Sequence, residues 1–255
     1  MTTGSFPIDP GRRKALIILQ EHDIEKCAYE PGAAQSLLDQ EAYVLQFPLR
    51  PQGDIPVVLQ NILDSDLVRP GNMLVQSPYD VDTYEEAAIA PQRFAIAKHM
   101  YFSILCKHLG AKEVTVEQIE LRTVLGKSTF SVKGERHSIS GQVSIEAEEL
   151  EKFGTQMHLR DAFKGGPADI GEAERLLRRT KLLADQNMRA LIDMRRDGEN
   201  QLKKRTLVLS LSSEAKSNLN VVGRINVPSF VKLSADYANT VKEQRDYQLT
   251  VTVRF

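Results

Sequence analysis

Apolar and polar residues alternate without a break over the last nine residues of the chain, 247–255. Successive side chains of a β-strand point to opposite faces of a sheet, so this alternation predicts a strand that is buried on one face. We expect Val251 and Val253 to be buried, and the intervening Thr250 and Thr252 to face solvent or a partner. The complete apolar face consists of Tyr247, Leu249, Val251, Val253 and Phe255.

Shorter stretches of the same kind predict further strands. Between Glu113 and Val124 the alternation breaks near Gln118, which indicates a β-bulge. Gly126 and Gly134 provide turns after this stretch, so the pattern predicts an antiparallel meander. The other candidate strands are Ala42–Phe47, Met73–Gln76, Thr129–Val132, Ser138–Ala147, Thr206–Ser212, Val221–Val227 and Phe230–Tyr237.

Apolar residues at spacings of three and four predict helices. The two longest are Gln92–Leu109, which Gly110 would cap, and Asp169–Arg196, in which Asp169 would cap the first turn. At about 1.5 Å per residue the second helix would be about 40 Å long, and Leu183 would lie on its buried side. Shorter helices are expected at Arg12–Cys27, Val57–Leu63 and Glu148–Phe163.

These elements predict an α+β protein, in which an antiparallel sheet of short meanders packs against the two long amphipathic helices. Residues 1–11 contain glycine, serine and two prolines, which predicts a flexible N-terminal arm. Residues 12–255 are predicted to form a single α+β domain. The sequence Gly165-Gly166-Pro167 marks a candidate internal boundary near 164–168.

Composition narrows the class of protein. The 33 lysines and arginines nearly balance the 34 aspartates and glutamates, so no overall field would attract nucleic acid or an anionic membrane. Cys27 and Cys106 lie far apart, which is typical of reduced thiols rather than of a disulfide framework. The first eleven residues lack the features of a signal peptide, and no apolar run approaches the roughly 18 residues of a membrane span. We therefore expect a cytoplasmic protein.

The motifs that carry well-known chemistry are incomplete. Gly126-Lys127-Ser128 has the ending of a phosphate-binding loop, but Leu121 stands where that loop needs glycine. An acidic cluster that begins at Asp80 lacks the glycine and glutamate of a calcium loop. His99 and Cys106 have no further ligands at the spacing of a zinc site. We expect no catalytic residue, cofactor or metal, although carboxylate catalysis leaves no short motif.

One stretch, Glu172–Arg205, is locally basic, with ten lysines and arginines against six aspartates and glutamates. A basic surface of this kind can bind an anion or an acidic partner, whereas ion pairs along the helix would neutralise it. Aromatic residues do not interleave with the basic ones, which argues against nucleic acid. The candidate anion-binding or partner-binding residues are Arg178, Arg179, Lys203, Lys204 and Arg205.

The sequence favours a non-catalytic binding or assembly protein that acts in the cytoplasm through protein–protein contacts. Its partner would be another protein or a second copy of the chain. A membrane-active effector is one alternative, because Thr206–Ser212, Phe230–Tyr237 and Tyr247–Phe255 have the alternation of amphipathic β-hairpins that insert into membranes. A hydrolase with an unpatterned acidic site is the other.

Overall fold

The computed structural model describes the chain in segments that together contain ten strands and seven α-helices. The described residues are 6–29, 39–49, 55–123, 126–132, 136–140, 145–157, 159–196, 201–225, 228 and 245–255. The strands are β1 Ala15–Gln20, β2 Ala42–Phe47, β3 Met73–Gln76, β4 Tyr84–Glu86, β5 Glu113–Thr123, β6 Gly126–Ser131, β7 Arg136–Ser140, β8 Arg160–Ala162, β9 Lys204–Leu209 and β10 Asp246–Arg254. The helices are α1 Glu21–Tyr29, α2 Val57–Asp64, α3 Ala90–His108, α4 Ile145–Gln156, α5 Ile170–Arg179, α6 Gln186–Arg196 and α7 Ser213–Arg224.

The chain forms two compact units. The first contains Met1–Ala90 and Ser213–Lys242, and the second contains Pro91–Ser212 and Glu243–Phe255. The candidate boundary near 164–168 lies inside the second unit, and the single domain over 12–255 stays a prediction. Of the predicted N-terminal arm, residues 1–5 lie outside the described part of the chain.

The first unit is built on a four-stranded sheet with the order β2-β1-β3-β4. β1 and β2 are parallel, and the other pairs are antiparallel. The predicted helix Arg12–Cys27 is wrong in its first half, because Ala15–Gln20 forms the strand β1. Residues 15–19 are apolar and at most 1% exposed, as expected of an inner strand that is covered on both faces. Phe6 packs its ring against Tyr43, with 5.6 Å between the ring centroids.

The second unit contains an antiparallel sheet with the order β7-β6-β5-β10-β9, and β8 also pairs with β5. The predicted C-terminal strand is confirmed as β10, which lies between β5 and β9. Because β10 pairs with β5, strands far apart in sequence meet, and the sheet is not built from short meanders alone. The chain is therefore a mixed α+β protein in which antiparallel pairing dominates.

The two faces of β10 differ as predicted, with one correction. Val251 and Val253 are fully buried. Thr252 does not face solvent but is 5% exposed, and its hydroxyl lies 2.7 Å from that of Thr206 on β9. The predicted bulge is confirmed at Glu117, since Thr250 pairs with Gln118 while Val251 pairs with Val116. This extra residue keeps apolar side chains on the buried face on both sides of the bulge.

The predicted long helix Asp169–Arg196 is wrong, because it is divided into α5 and α6. Lys181 adopts a left-handed backbone conformation with φ of 57°. The N–H of Leu182 then donates to the carbonyl of Leu177 at 2.9 Å, as in a Schellman cap. Asp185 starts α6 by accepting a hydrogen bond from the N–H of Met188 at 3.0 Å. Leu182 is buried at the break, and Leu183, predicted to be buried, is 39% exposed.

The predicted cap Asp169 is confirmed, since its carboxylate accepts a hydrogen bond from the N–H of Glu172 at 3.0 Å. The predicted strand Val221–Val227 is wrong, because its first four residues form the end of α7. The predicted strand Phe230–Tyr237 lies outside the described residues.

The predicted helix Gln92–Leu109 is confirmed as α3, with 19 residues. Gly110 ends it with φ of 79°, and Ala111 donates to the carbonyl of Cys106 at 2.9 Å. A Cβ atom on Gly110 would lie 2.1 Å from the carbonyl oxygen of Gly166. Glycine is therefore required at this position both for the backbone conformation and for the close approach of the 165–167 loop.

Candidate functional site

Among the described strands, β9 forms one edge of the sheet in the second unit. The N–H of Phe255 donates to the carbonyl of Lys203 at 2.9 Å, so Lys203 directs its main-chain groups toward β10. The N–H and carbonyl groups of the alternate residues point away from the sheet. These residues are Lys204, Thr206 and Val208. In the described part of the chain, the only protein group bonded to this outer row is the side chain of Asn187, which donates to the carbonyl of Val208 at 3.2 Å.

The first residues of this edge are basic, and the side chains at its alternate positions are exposed. We call residues 203–208 the basic edge. Lys203, Lys204 and Thr206 are exposed, and Val208 is 47% exposed. The half-buried Arg205 places a guanidinium nitrogen 3.1 Å from the sulfur of Met194. None of the three cations forms an ion pair with a described residue.

A cavity of about 380 Å³, here called the end pocket, opens beside the start of the basic edge. Its described lining includes three cationic side chains and no acidic one. Two glycines also contribute main-chain surface. The lining residues are Gly110, Lys112, Gly166, Arg195, Gln201, Leu202, Lys203 and Phe255.

Arg195 is the most deeply buried cation of the end pocket, at 6% exposure. It donates to the carbonyl of Leu109 at 3.1 Å and to the carbonyl of Leu202 at 3.0 Å. Its guanidinium lies 4.5 Å from the ring centroid of Phe255. Burial lowers the pKa of Arg195. The side chain thus ties the C-terminal end of α3 to α6 and to the segment before β9.

The loop that follows β8 shapes the opposite wall of the pocket. The N–H of Phe163 donates to the carbonyl of Lys112 at 2.8 Å, and the N–H of Asp169 donates to the carbonyl of His108 at 2.7 Å. These bonds hold the loop against the end of α3. Lys112 also donates from Nζ to the main-chain oxygen of Phe255 at 3.2 Å.

The structure brings only part of the predicted site together. Lys203, Lys204 and Arg205 lie on the basic edge, and Lys203 also lines the end pocket. Arg178 and Arg179 lie on α5, where Arg178 pairs with Glu174 at 3.6 Å.

Lys112 could not be predicted from the sequence, and Arg195 could not be distinguished from the other basic residues of the stretch Glu172–Arg205. No local signal marks either residue. Both residues line the end pocket because the C-terminal ends of α3 and α6 lie close to the start of β9.

Other buried charges have partners that explain them structurally. In the first unit Arg13 donates to the hydroxyl of Tyr84 and to the carboxylate of Asp82, both at 2.9 Å. In the second unit Lys98 pairs with Asp185 at 2.5 Å. Because a buried charge is costly without a partner, these contacts explain why Arg13 and Lys98 can be buried, and they do not indicate a reactive group.

A more exposed ion-pair cluster fastens α7 within the first unit. Arg224 lies 2.7 Å from Glu41 and 3.2 Å from Asp39, and Lys14 also pairs with Glu41. The hydrogen bonds from Lys14 and Arg224 lower the pKa of Glu41. The carboxylate of Glu41 is therefore ionised near neutral pH.

His, Cys, Asp and Glu side chains do not form a group of metal-binding size anywhere in the described ranges. Burial raises the pKa of the Cys106 thiol well above its usual value, so this cysteine is not activated as a nucleophile. None of the helices that the structure describes is both long and apolar enough to cross a membrane.

Comparisons with models of protein families, with curated proteins and with solved structures found no match to this chain. The basic edge and the end pocket therefore stand on geometry and charge. Both lie in the second unit and share Lys203.

Proposed function

We propose that this protein is a non-catalytic binding protein that acts through protein–protein contacts, and that the basic edge accepts an extended acidic segment of its partner. The observation that carries the proposal is the outer row of main-chain groups on β9. The N–H and carbonyl groups of Lys204 and Thr206 have no partner in the described structure and repeat at the spacing of a sheet ladder. They form a template for one more strand.

Charge and side-chain pattern support an acidic partner. In strand addition, main-chain hydrogen bonds supply affinity, and side chains at alternate positions supply specificity. An added strand would place its side chains beside Lys204, Thr206 and the exposed Val208. Carboxylates on that face of the added strand would meet Lys204, which has no ion-pair partner among the described residues. A segment in which acidic and β-branched residues alternate fits this surface best.

The same charges oppose self-association along this edge. Two copies would bring together two sets of basic residues, one set from each copy. Each set consists of Lys203, Lys204 and Arg205. Lysines on edge strands are a common means of preventing such pairing in natural sheets. We therefore place an acidic protein partner ahead of a second copy of the chain.

The test uses a blocked hexapeptide in which valine and glutamate alternate, titrated into the isotope-labelled protein and followed by NMR. We expect saturable binding and slower hydrogen exchange of the amides of Lys204, Thr206 and Val208. Thr206→Pro removes an outward N–H from an edge position, where proline is tolerated. Loss of one main-chain hydrogen bond should weaken binding about five- to tenfold.

Thr206→Val is the matched control. It also removes the hydroxyl that contacts Thr252, but it keeps the N–H, so it should bind the peptide as the parent does. If the peptide binds and Thr206→Pro has no effect, strand addition is refuted. If binding is lost equally in both variants, the side chain and not the main chain is responsible.

Charge is tested separately. Replacing Lys203 and Lys204 with alanine should weaken peptide binding and reduce its dependence on salt. Replacing Arg178 and Arg179, which lie on α5, removes the same number of charges and should leave binding unchanged. Equal losses in the two double variants would show that net charge alone attracts the peptide.

The two alternative functions stay predictions with their own tests. A membrane-active effector would release a dye from anionic liposomes at low protein concentration. A hydrolase with an unpatterned acidic site would act on one member of a panel of chromogenic substrates.

A further inference from the structure

The end pocket contains a buried positive charge that no described side chain neutralises. Arg195 is bonded to the carbonyls of Leu109 and Leu202 and stacks on Phe255. The two carbonyls and the aromatic ring carry no full negative charge. The C-terminal end of α3 contributes only about half an elementary charge. Because removing a cation from water is costly without a counter-charge, the pocket favours an anion from solution.

Two further cations border the same cavity. Lys112 and Lys203 are exposed and line it together with Arg195. Lys112 uses one of its three donors on Phe255, which leaves two for a ligand. Gly166 also lines the cavity, and a Cβ atom added there would meet nothing within 4 Å, so a ligand can approach the main chain closely at this residue.

We propose that the end pocket binds a phosphoryl group. Three surrounding cations favour a doubly charged oxyanion over a singly charged carboxylate, since each cation interacts with the whole charge. A volume of about 380 Å³ falls at the lower end of small-molecule sites and leaves room for the group that carries the phosphate. This inference rests on the cavity and not on the outer row of β9.

The test is calorimetric titration of the full chain with inorganic phosphate and with phosphoserine at constant ionic strength. We expect saturable binding of one or both, and none of acetate. Tighter binding of phosphoserine would assign the site to a phosphorylated molecule, and tighter binding of inorganic phosphate would assign it to the free ion. Both results support a phosphoryl site. Absence of saturable binding with either probe would overturn it.

Variants localise the binding. Lys112→Ala and Lys203→Ala change exposed side chains, so both proteins should fold, and each should weaken binding about tenfold, or about 1.4 kcal/mol. Arg179→Ala removes an exposed cation outside the pocket and should have no effect. If Arg179→Ala weakens binding as much as Lys112→Ala, the ion is held by general surface charge and the proposal fails. Lys112 lies outside the basic edge, so this variant separates the pocket from the peptide site.

Discussion

Gly110→Ala tests the junction on which the end pocket is built. Gly110 follows the last turn of α3 with φ of 79°, and a Cβ atom there would lie 2.1 Å from the carbonyl oxygen of Gly166. Real Cβ atoms do not approach an oxygen so closely. The contact is with main chain, so a side-chain rotation cannot relieve it, and the 165–167 loop has to move away from the helix.

The cost follows from two physical effects. An alanine in the left-handed conformation costs about 1–2 kcal/mol. Displacement of the loop also strains the hydrogen bonds from Phe163 to Lys112 and from Asp169 to His108, each of which is worth about 1 kcal/mol net. We therefore expect Gly110→Ala to lower the free energy of unfolding by about 3–4 kcal/mol.

Urea unfolding followed by far-UV circular dichroism measures this difference. Gly171→Ala is the control, because Gly171 lies in the first turn of α5 and an added Cβ would meet only Asp169, at 3.5 Å. That substitution should stabilise the protein by about 0.5 kcal/mol, since alanine is the better helix former. A loss below about 1 kcal/mol for Gly110→Ala would show that the loop does not press on the end of α3 as described.

Three further predictions concern the core, the sheet and acid stability. Leu182→Ala should cost about 2–5 kcal/mol because it empties a buried site, whereas Leu183→Ala should cost under about 1 kcal/mol, as measured by urea unfolding. Val251→Asp should abolish soluble expression, because it buries a carboxylate in the sheet, whereas Thr250→Asp on the half-buried face should still yield folded protein. Cations lower the pKa of Glu41, so the contribution of its carboxylate to stability is present at neutral pH. That contribution is lost as the pH falls below about 4. Glu41→Gln should therefore make unfolding less sensitive to acid as the pH falls below about 4.

The sequence allowed some elements to be predicted correctly because their determinants are local. Gly110 ends α3 with the backbone conformation that glycine favours. The break in alternation near Gln118 corresponds to the bulge at Glu117. In each case a few neighbouring residues decide the conformation, and distant contacts do not override it.

Two errors have tertiary causes. Residues 15–19 form a short apolar run, which periodicity alone cannot assign to a helix or to a buried strand. The break between α5 and α6 depends on Lys181 in a conformation that is rare for a residue with a side chain. Leu182 is buried behind this break, and that burial compensates for the strain of the cap.

The burial of Thr252 also depends on tertiary contacts and could not be predicted from the alternation of side chains. Its position in the alternation places it on the polar face, and that assignment is correct. Whether a polar residue on that face reaches solvent depends on the neighbouring strand. Thr206 on β9 covers it and supplies a hydroxyl partner.

The candidate site could not be predicted because the alternation of side chains does not show which strand lies at the edge of a sheet. β9 and β10 have the same alternation of side chains, yet β10 is an inner strand and β9 is an edge. Alternation reports which face of a strand is buried, and it contains no information on whether main-chain groups have partners. The proposed binding surface depends on N–H and carbonyl groups of β9 that have no partner among the described residues, and only the strand order reveals them. The sequence shows the charge of Lys203, Lys204 and Arg205, whereas the fold determines that this charge lies along a strand at the edge of the described sheet.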